Sequence, residues 1–169
     1  MGYRNRTYVV FDGDNDKWAY GFMKGWKSNE NVDFNFHDAH SLAILGPNAQ
    51  SEPYVKKALR ERFLSAKQVV VLVGEKTKSL YRYVRWELEV ALDLDLPIIA
   101  VNLADQQLRE QDDVYCPAII RETYTVHVPF KAAIIQYALD KFPDEYAKRD
   151  KSLKGPRIYG EQVYRNCGL

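Results

Sequence analysis

Val69 to Val73 reads VVVLV, the clearest central strand in the chain, and it stops at Gly74-Glu75. Arg6 to Phe11 (RTYVVF) is a second β-branched and aromatic run, and its near-continuous apolar character predicts a strand buried on both faces. A third run, Pro97 to Val101 (PIIAV), is equally apolar, and Tyr124 to Val128 makes another. Val32 to Phe36 (VDFNF) alternates and predicts the second strand in chain order. Between these runs lie segments of helical period. From about Asp16, with Asn15 or Asp14 as cap, Trp18, Phe22 and Trp26 recur at fourfold spacing. Ser51 caps a second helix with Pro53 in its first turn, and Val55, Leu59 and Phe63 supply its buried face. Ser79 caps a third, in which Leu80, Val84, Leu88, Ala91 and Leu92 share one side. A last helix opens at Pro129 and ends near Phe142-Pro143.

The repeated βα order predicts an α/β fold, a flavodoxin-like doubly wound, mostly parallel five-stranded sheet over residues 1–143. Residues 144–169 form a C-terminal extension whose tyrosines Tyr146, Tyr159 and Tyr164 predict packing on the domain rather than disorder. Asp105 to Pro117 reads as a polar surface excursion.

With 169 residues, 46% of them hydrophobic, the chain can bury a core without staples. A net charge of +1 without a long run of either sign argues against nucleic acid and anionic membranes as partners. No apolar run is long enough for a bilayer, Met1 to Arg6 lacks a signal peptide's apolar stretch, and Arg6 stands where a myristoylation signal wants Ser or Thr. Cys116 and Cys167 lie far apart without metal-ligand spacing, which suits a reducing cytoplasm and unreactive thiols.

In a sheet of this kind ligands bind outside the carboxyl ends of the strands. The loops expected there are Asp12 to Asp16, His37 to Asn48 and Gly74 to Ser79. Asp12, Asp14 and Asp16 could form a Mg²⁺ pocket of the receiver type, but a receiver needs an Asp at the end of the third strand, where this chain has Gly74-Glu75. Loop solvation and helix capping fit the acidic cluster better. His37, Asp38 and His40 lack a third metal ligand of suitable spacing, so they read as a structural or substrate-contacting loop, and no metal site is expected. There is no GxGxxG, Walker or GxSxG motif.

In YVRWELEVAL, Tyr83 to Leu92, Glu87 sits beside the apolar stripe, whereas Glu89 and Trp86 point away. The two glutamates should therefore differ, Glu87 partly buried and Glu89 solvated, with Tyr83 one turn before Glu87 on the same side. Taken alone, a glutamate flanking a stripe is ordinary boundary decoration. Trp86 would cover the C-terminal extension or belong to an assembly surface.

The strand ending VVFDGDND, the loop FHDAH, the strand VVVLVGEKT and the helix YRYVRWELEVAL together resemble the TIR-like family of the bacterial Thoeris anti-phage system, from Arg6 to about Phe142. The resemblance implies the flavodoxin-like fold and cleavage of the nicotinamide–ribose bond of NAD⁺, by an NAD⁺ nucleosidase or ADP-ribosyl cyclase that makes a cyclic ADP-ribose signal. It also implies an aromatic residue followed four positions later by an essential glutamate, which selects Tyr83 and Glu87 rather than Glu89. Phe11, Asp12, Gly13, Asp14, His37, Asp38, His40 and Tyr83 would contact the substrate. NAD⁺ is substrate rather than cofactor; the implied partners are a phage-derived trigger, a further copy of the chain and an effector reached through the diffusible nucleotide. The sequence departs from many TIR domains at Asp12-Gly13-Asp14, where Ser and an aromatic are usual, and acid there would repel a pyrophosphate. The alternative is an interaction module of the same fold without turnover; a phosphorylated receiver is a weaker third reading.

Overall fold

The computed structural model describes residues 6–35, 51–80 and 82–169, together with the backbone of 37–38. Its strands are β1 (Arg6–Val10), β2 (His37–Asp38), β3 (Gln68–Val73), β4 (Ile98–Asn102), β5 (Thr125–Pro129) and β6 (Pro156–Ile158). The helices are α1 (Lys17–Ser28), α2 (Glu52–Phe63), α3 (Tyr83–Asp93), α4 (Ala118–Arg121), α5 (Ala132–Lys148) and α6 (Glu161–Asn166). The strands form one sheet in the order β2-β1-β3-β4-β5-β6, and every pair in it is parallel. The doubly wound fold expected from the βα alternation is therefore present, with a sixth strand added.

Because the central strands are apolar on both sides, each face needs a helical cover. Ala19, Tyr20 and Met23 of α1, with Ile134, Ile135 and Leu139 of α5, cover one face. Val55, Leu59 and Phe63 of α2, Val84 and Leu88 of α3 and Ile120 of α4 cover the other. The row Trp18–Phe22–Trp26 is thus not the buried side of α1: Trp18 and Phe22 are exposed, and Trp18 stacks edge-on against Phe130 at its margin.

Four further expectations are corrected. The alternation in residues 32–35 does not make a strand; Phe34 is buried edge-on against Trp26, the Asn35 amide donates to Gln136 Oε1, and among the described residues the pairing with β1 is made by His37 and Asp38. Trp86 is buried, because α2 and α4 flank α3 and widen its covered face beyond the sheet-facing stripe. Ser79 does not cap α3: Thr77–Ser79 form a 3₁₀ turn and the helix starts at Tyr83, with Arg82 in the cap position. Pro143 does not end α5, which continues to Lys148. A proline inside a helix forfeits one backbone hydrogen bond. Phe142 and Tyr146 pack on each other and both on Tyr124, on either side of that proline, and this burial carries the helix through.

The boundary expected between residues 143 and 144 consequently falls within a continuous helix. Beyond it, β6 pairs with β5, and Tyr159 and Tyr164 are buried in the core of the α1/α5 face. The guanidinium of Arg109 lies 4.1 Å from the Tyr164 ring centroid and binds Glu161, which fastens the 105–117 segment to α6. Cys116 and Cys167 are free, and burial pushes the Cys116 thiol up to about 12. No described helix is long and apolar enough to cross a membrane.

Candidate active site

The chain leaves β1 towards α1 on one face and leaves β3 towards α3 on the other, while β1 and β3 are neighbours in the sheet. Their diverging exits open a crevice at their carboxyl ends, the switch point of a doubly wound sheet. A cleft of about 680 Å³ occupies it, within the size range of small-molecule sites. Phe11, Asp12, Gly13 and Asp14 form one wall, and Ser79, Leu80, Arg82, Tyr83 and Val84 the other.

The first wall is a braced turn. The Asp12 carboxylate is buried and accepts the amides of Asp14 and Asn15 and the Asn15 side-chain amide, at 2.9, 3.2 and 2.6 Å. Its lone pairs are engaged in shaping the turn, so neither solvation nor helix capping, the expected roles, describes it. The cap position of α1 is Asp16, not Asn15 or Asp14, and its side chain does not bond the helix. Instead the Asp16 carboxylate is buried against Gly74 and accepts from Thr77 Oγ1. Burial, then the charge of Asp12, raises its pKa. Phe11 stacks on Tyr20 at 4.9 Å, which fixes the ring at the cleft mouth. Among the described residues, no three His, Cys, Asp or Glu side chains converge to hold a metal ion.

On the second wall, Tyr83 is 42% exposed and rests edge-on against Trp86. Glu87 lies one turn further down α3, below the cleft rather than in its lining. It is partly buried, and the Tyr8 hydroxyl of β1 donates to its Oε1 at 3.4 Å. Burial pushes the Glu87 carboxyl up to about 8, against the Tyr8 hydrogen bond and the Arg62 charge, which both favour the anion. Glu89 behaves oppositely. Burial works to raise it, but hydrogen bonds from Lys56 and Arg85 prevail and hold it below the ordinary range. Both glutamates are half-buried, so Glu89 is not the solvated one expected; they differ instead in their partners, a tyrosine hydroxyl at Glu87 and two cations at Glu89.

The structure brings Phe11, Asp12, Gly13, Asp14 and Tyr83 together, with Glu87 beneath them. His37 and Asp38 lie elsewhere. In β2 they pair with Arg6 and Thr7 at the start of β1, roughly 13–17 Å from the cleft at the usual strand rise. His40 and the Gly46-Pro47-Asn48 loop lie outside the described residues. Sequence reasoning missed Arg82, whose adjacency to Tyr83 puts a cation on the cleft wall, and the pair Tyr8 and Arg62 beside Glu87. A tyrosine inside a strand buried on both faces was the available signal, because its hydroxyl must find a partner.

A solved prokaryotic SEFIR domain is similar at 10% sequence identity with a TM-score of 0.47, the alignment covering 93% of this chain and all of that one. No curated protein matches. The family described as "Thoeris protein ThsB, TIR-like domain" matches residues 8–107, from the third residue of β1 past the end of β4 and across the whole cleft, so the chain belongs to the TIR-like domain family of the Thoeris protein ThsB.

Proposed function

We propose that this TIR-like domain cleaves NAD⁺ at the nicotinamide–ribose bond and releases a signalling form of ADP-ribose in anti-phage defence. The observation that carries the reading is Glu87, a partly buried carboxyl beneath a cleft of small-molecule size, one turn below the exposed ring of Tyr83. The C1′–N bond breaks with its electron pair passing to the pyridinium nitrogen, so nicotinamide departs neutral without a general acid. The cation left on the ribose needs a facing anion, and Glu87 supplies it. Water then captures C1′ and releases a proton, or another nucleophile of the same molecule closes a ring. The raised pKa suits this role. A cationic ring and a growing cation both favour the ionised carboxylate, so substrate binding promotes the active form. Arg82 on the cleft wall offsets the acidity of Asp14 where the pyrophosphate would lie.

Purified protein, with and without lysate from infected cells, is incubated with NAD⁺ and nicotinamide is followed. Glu87→Gln should lower the rate about a hundredfold to a thousandfold. Undiminished release by this variant would remove the mechanism. Trp18 and Phe22, 43% and 57% exposed on α1, are the observation that favours the interaction-module reading, which gains if neither preparation releases nicotinamide.

A further inference from the structure

Glu87 lies below the crevice on a helix, and a carboxylate on one turn of a helix has several rotamers open to it. Two residues from other elements restrict that freedom. Tyr8 comes from the third position of β1, buried and packed edge-on against Phe63 at 4.4 Å, so its ring is fixed by the core. Its hydroxyl extends beyond the apolar layer to Glu87 Oε1. Arg62, near the end of α2, hydrogen-bonds the same hydroxyl and acts on both groups through its charge. Burial and then the Glu87 charge raise the Tyr8 pKa, so the phenol stays protonated and keeps its proton for donation.

We infer that Tyr8 and Arg62 are positioning residues for Glu87: the guanidinium holds the phenol oxygen, the phenol holds one carboxyl oxygen, and the second carboxyl oxygen is left for the ribose. The inference rests on the NAD⁺ reading for its reaction but not for the contact itself. The relay joins α2, β1 and α3 at one point, so it fixes the carboxyl relative to the sheet as well as its own helix. At 3.4 Å the Tyr8 bond is long, and it shortens when the carboxyl ionises, because a charged acceptor draws its donor in. Positioning of this kind acts in the transition state more than in binding.

The test uses the full chain with Tyr8→Phe, which keeps the ring and removes only the hydroxyl, and with Arg62→Gln and Arg62→Lys. The Glu87 carboxyl is titrated by ¹³C NMR, assigned by its loss in Glu87→Gln, and the pH profile of kcat/KM for NAD⁺ is recorded alongside. Tyr8→Phe and Arg62→Gln should each move the Glu87 titration and the rising limb of the profile to higher pH. They should lower kcat about five- to tenfold with KM little changed, and Arg62→Lys should recover part of the shift. A Glu87 titration unmoved by both Tyr8→Phe and Arg62→Gln overturns the inference. A shifted titration in a protein that never releases nicotinamide upholds the relay and overturns the NAD⁺ reading instead.

Discussion

At Gly74 a β-carbon would lie 2.2 Å from Asp16 Oδ2, far inside contact distance, so the end of β3 can approach the Asp16 carboxylate only as glycine. That approach sets the spacing between the β1 and β3 exits, the two walls of the cleft. Gly74→Ala should destabilise the fold by about 1–3 kcal/mol, read from urea midpoints. The cost should shrink in an Asp16→Ala background, because the clash partner is gone; equal costs in the two backgrounds would show that the crowding is elsewhere. On the opposite wall, Arg82→Ala should raise KM for NAD⁺ about tenfold and leave kcat within a factor of two, as expected of a cation that meets the pyrophosphate equally in ground and transition states. A fall in kcat at unchanged KM would place Arg82 at the reacting bond instead. Helical spacing separates Glu87 from Glu89, but it was the resemblance to the TIR-like family that singled out Tyr83 and Glu87 as site residues. Tyr8 and Arg62 were not readable, since their meeting with Glu87 joins residues 79 apart in the case of Tyr8, and no periodicity encodes such a contact.

Among the elements, β1, β3, β4 and β5 were legible because each is a short apolar run, and α2 because Val55, Leu59 and Phe63 fall at one helical spacing. The failures share a cause: a tertiary contact outweighed the local signal. Residues 32–35 alternate as a strand would, yet Phe34 turns inward to Trp26; Pro143 should stop α5, yet burial on both sides of it keeps the helix going. The segment after residue 149 held a third surprise, since three residues between Gly155 and Tyr159 close the β5 edge. That edge predicts the effect of cutting it away. A chain ending at Arg149 loses β6, exposes the open side of β5, and uncovers the core filled by Tyr159 and Tyr164. It should aggregate, or unfold at a midpoint at least 10 °C below the full chain, since loss of two buried aromatics alone amounts to about 6 kcal/mol or more. A truncated chain with unchanged solubility and midpoint would mean the last twenty residues are an appendage rather than a sheet element.

For the molecule as a whole, the shifts of Glu87 and His127 run in opposite directions across the pH range from 4 to 8. Burial pushes Glu87 from its ordinary 4.5 up to about 8. His127 in β5 is wholly buried with neither ring nitrogen hydrogen-bonded, and burial pushes it from 6.5 down to about 4 against a weak opposing pull from Asp113. Stability rises with pH where the unfolded chain binds the more protons and falls where the folded chain does. The folded chain keeps the Glu87 proton that the unfolded chain has lost, so this carboxyl costs stability progressively as pH rises from 4.5 to 8. The unfolded chain holds a His127 proton that the folded chain excludes, so this ring costs stability as pH falls from 6.5 to 4. Between 4.5 and 6.5 the two slopes cancel. Other carboxyls with shifted pKa values add to the absolute curve but drop out of differences between variants. Glu87→Gln should therefore gain on the wild type with rising pH, reaching about 1–2 kcal/mol above pH 8 once solvent around the partly exposed carboxyl is allowed for. His127→Leu should gain with falling pH, reaching about 1–3 kcal/mol near pH 4. Urea midpoints at intervals from pH 4 to 9 read both differences. Curves that run parallel to the wild type at every pH would mean that neither group is held out of its ordinary protonation by the fold, and the case for Glu87 as a carboxyl tuned by its surroundings would go with them.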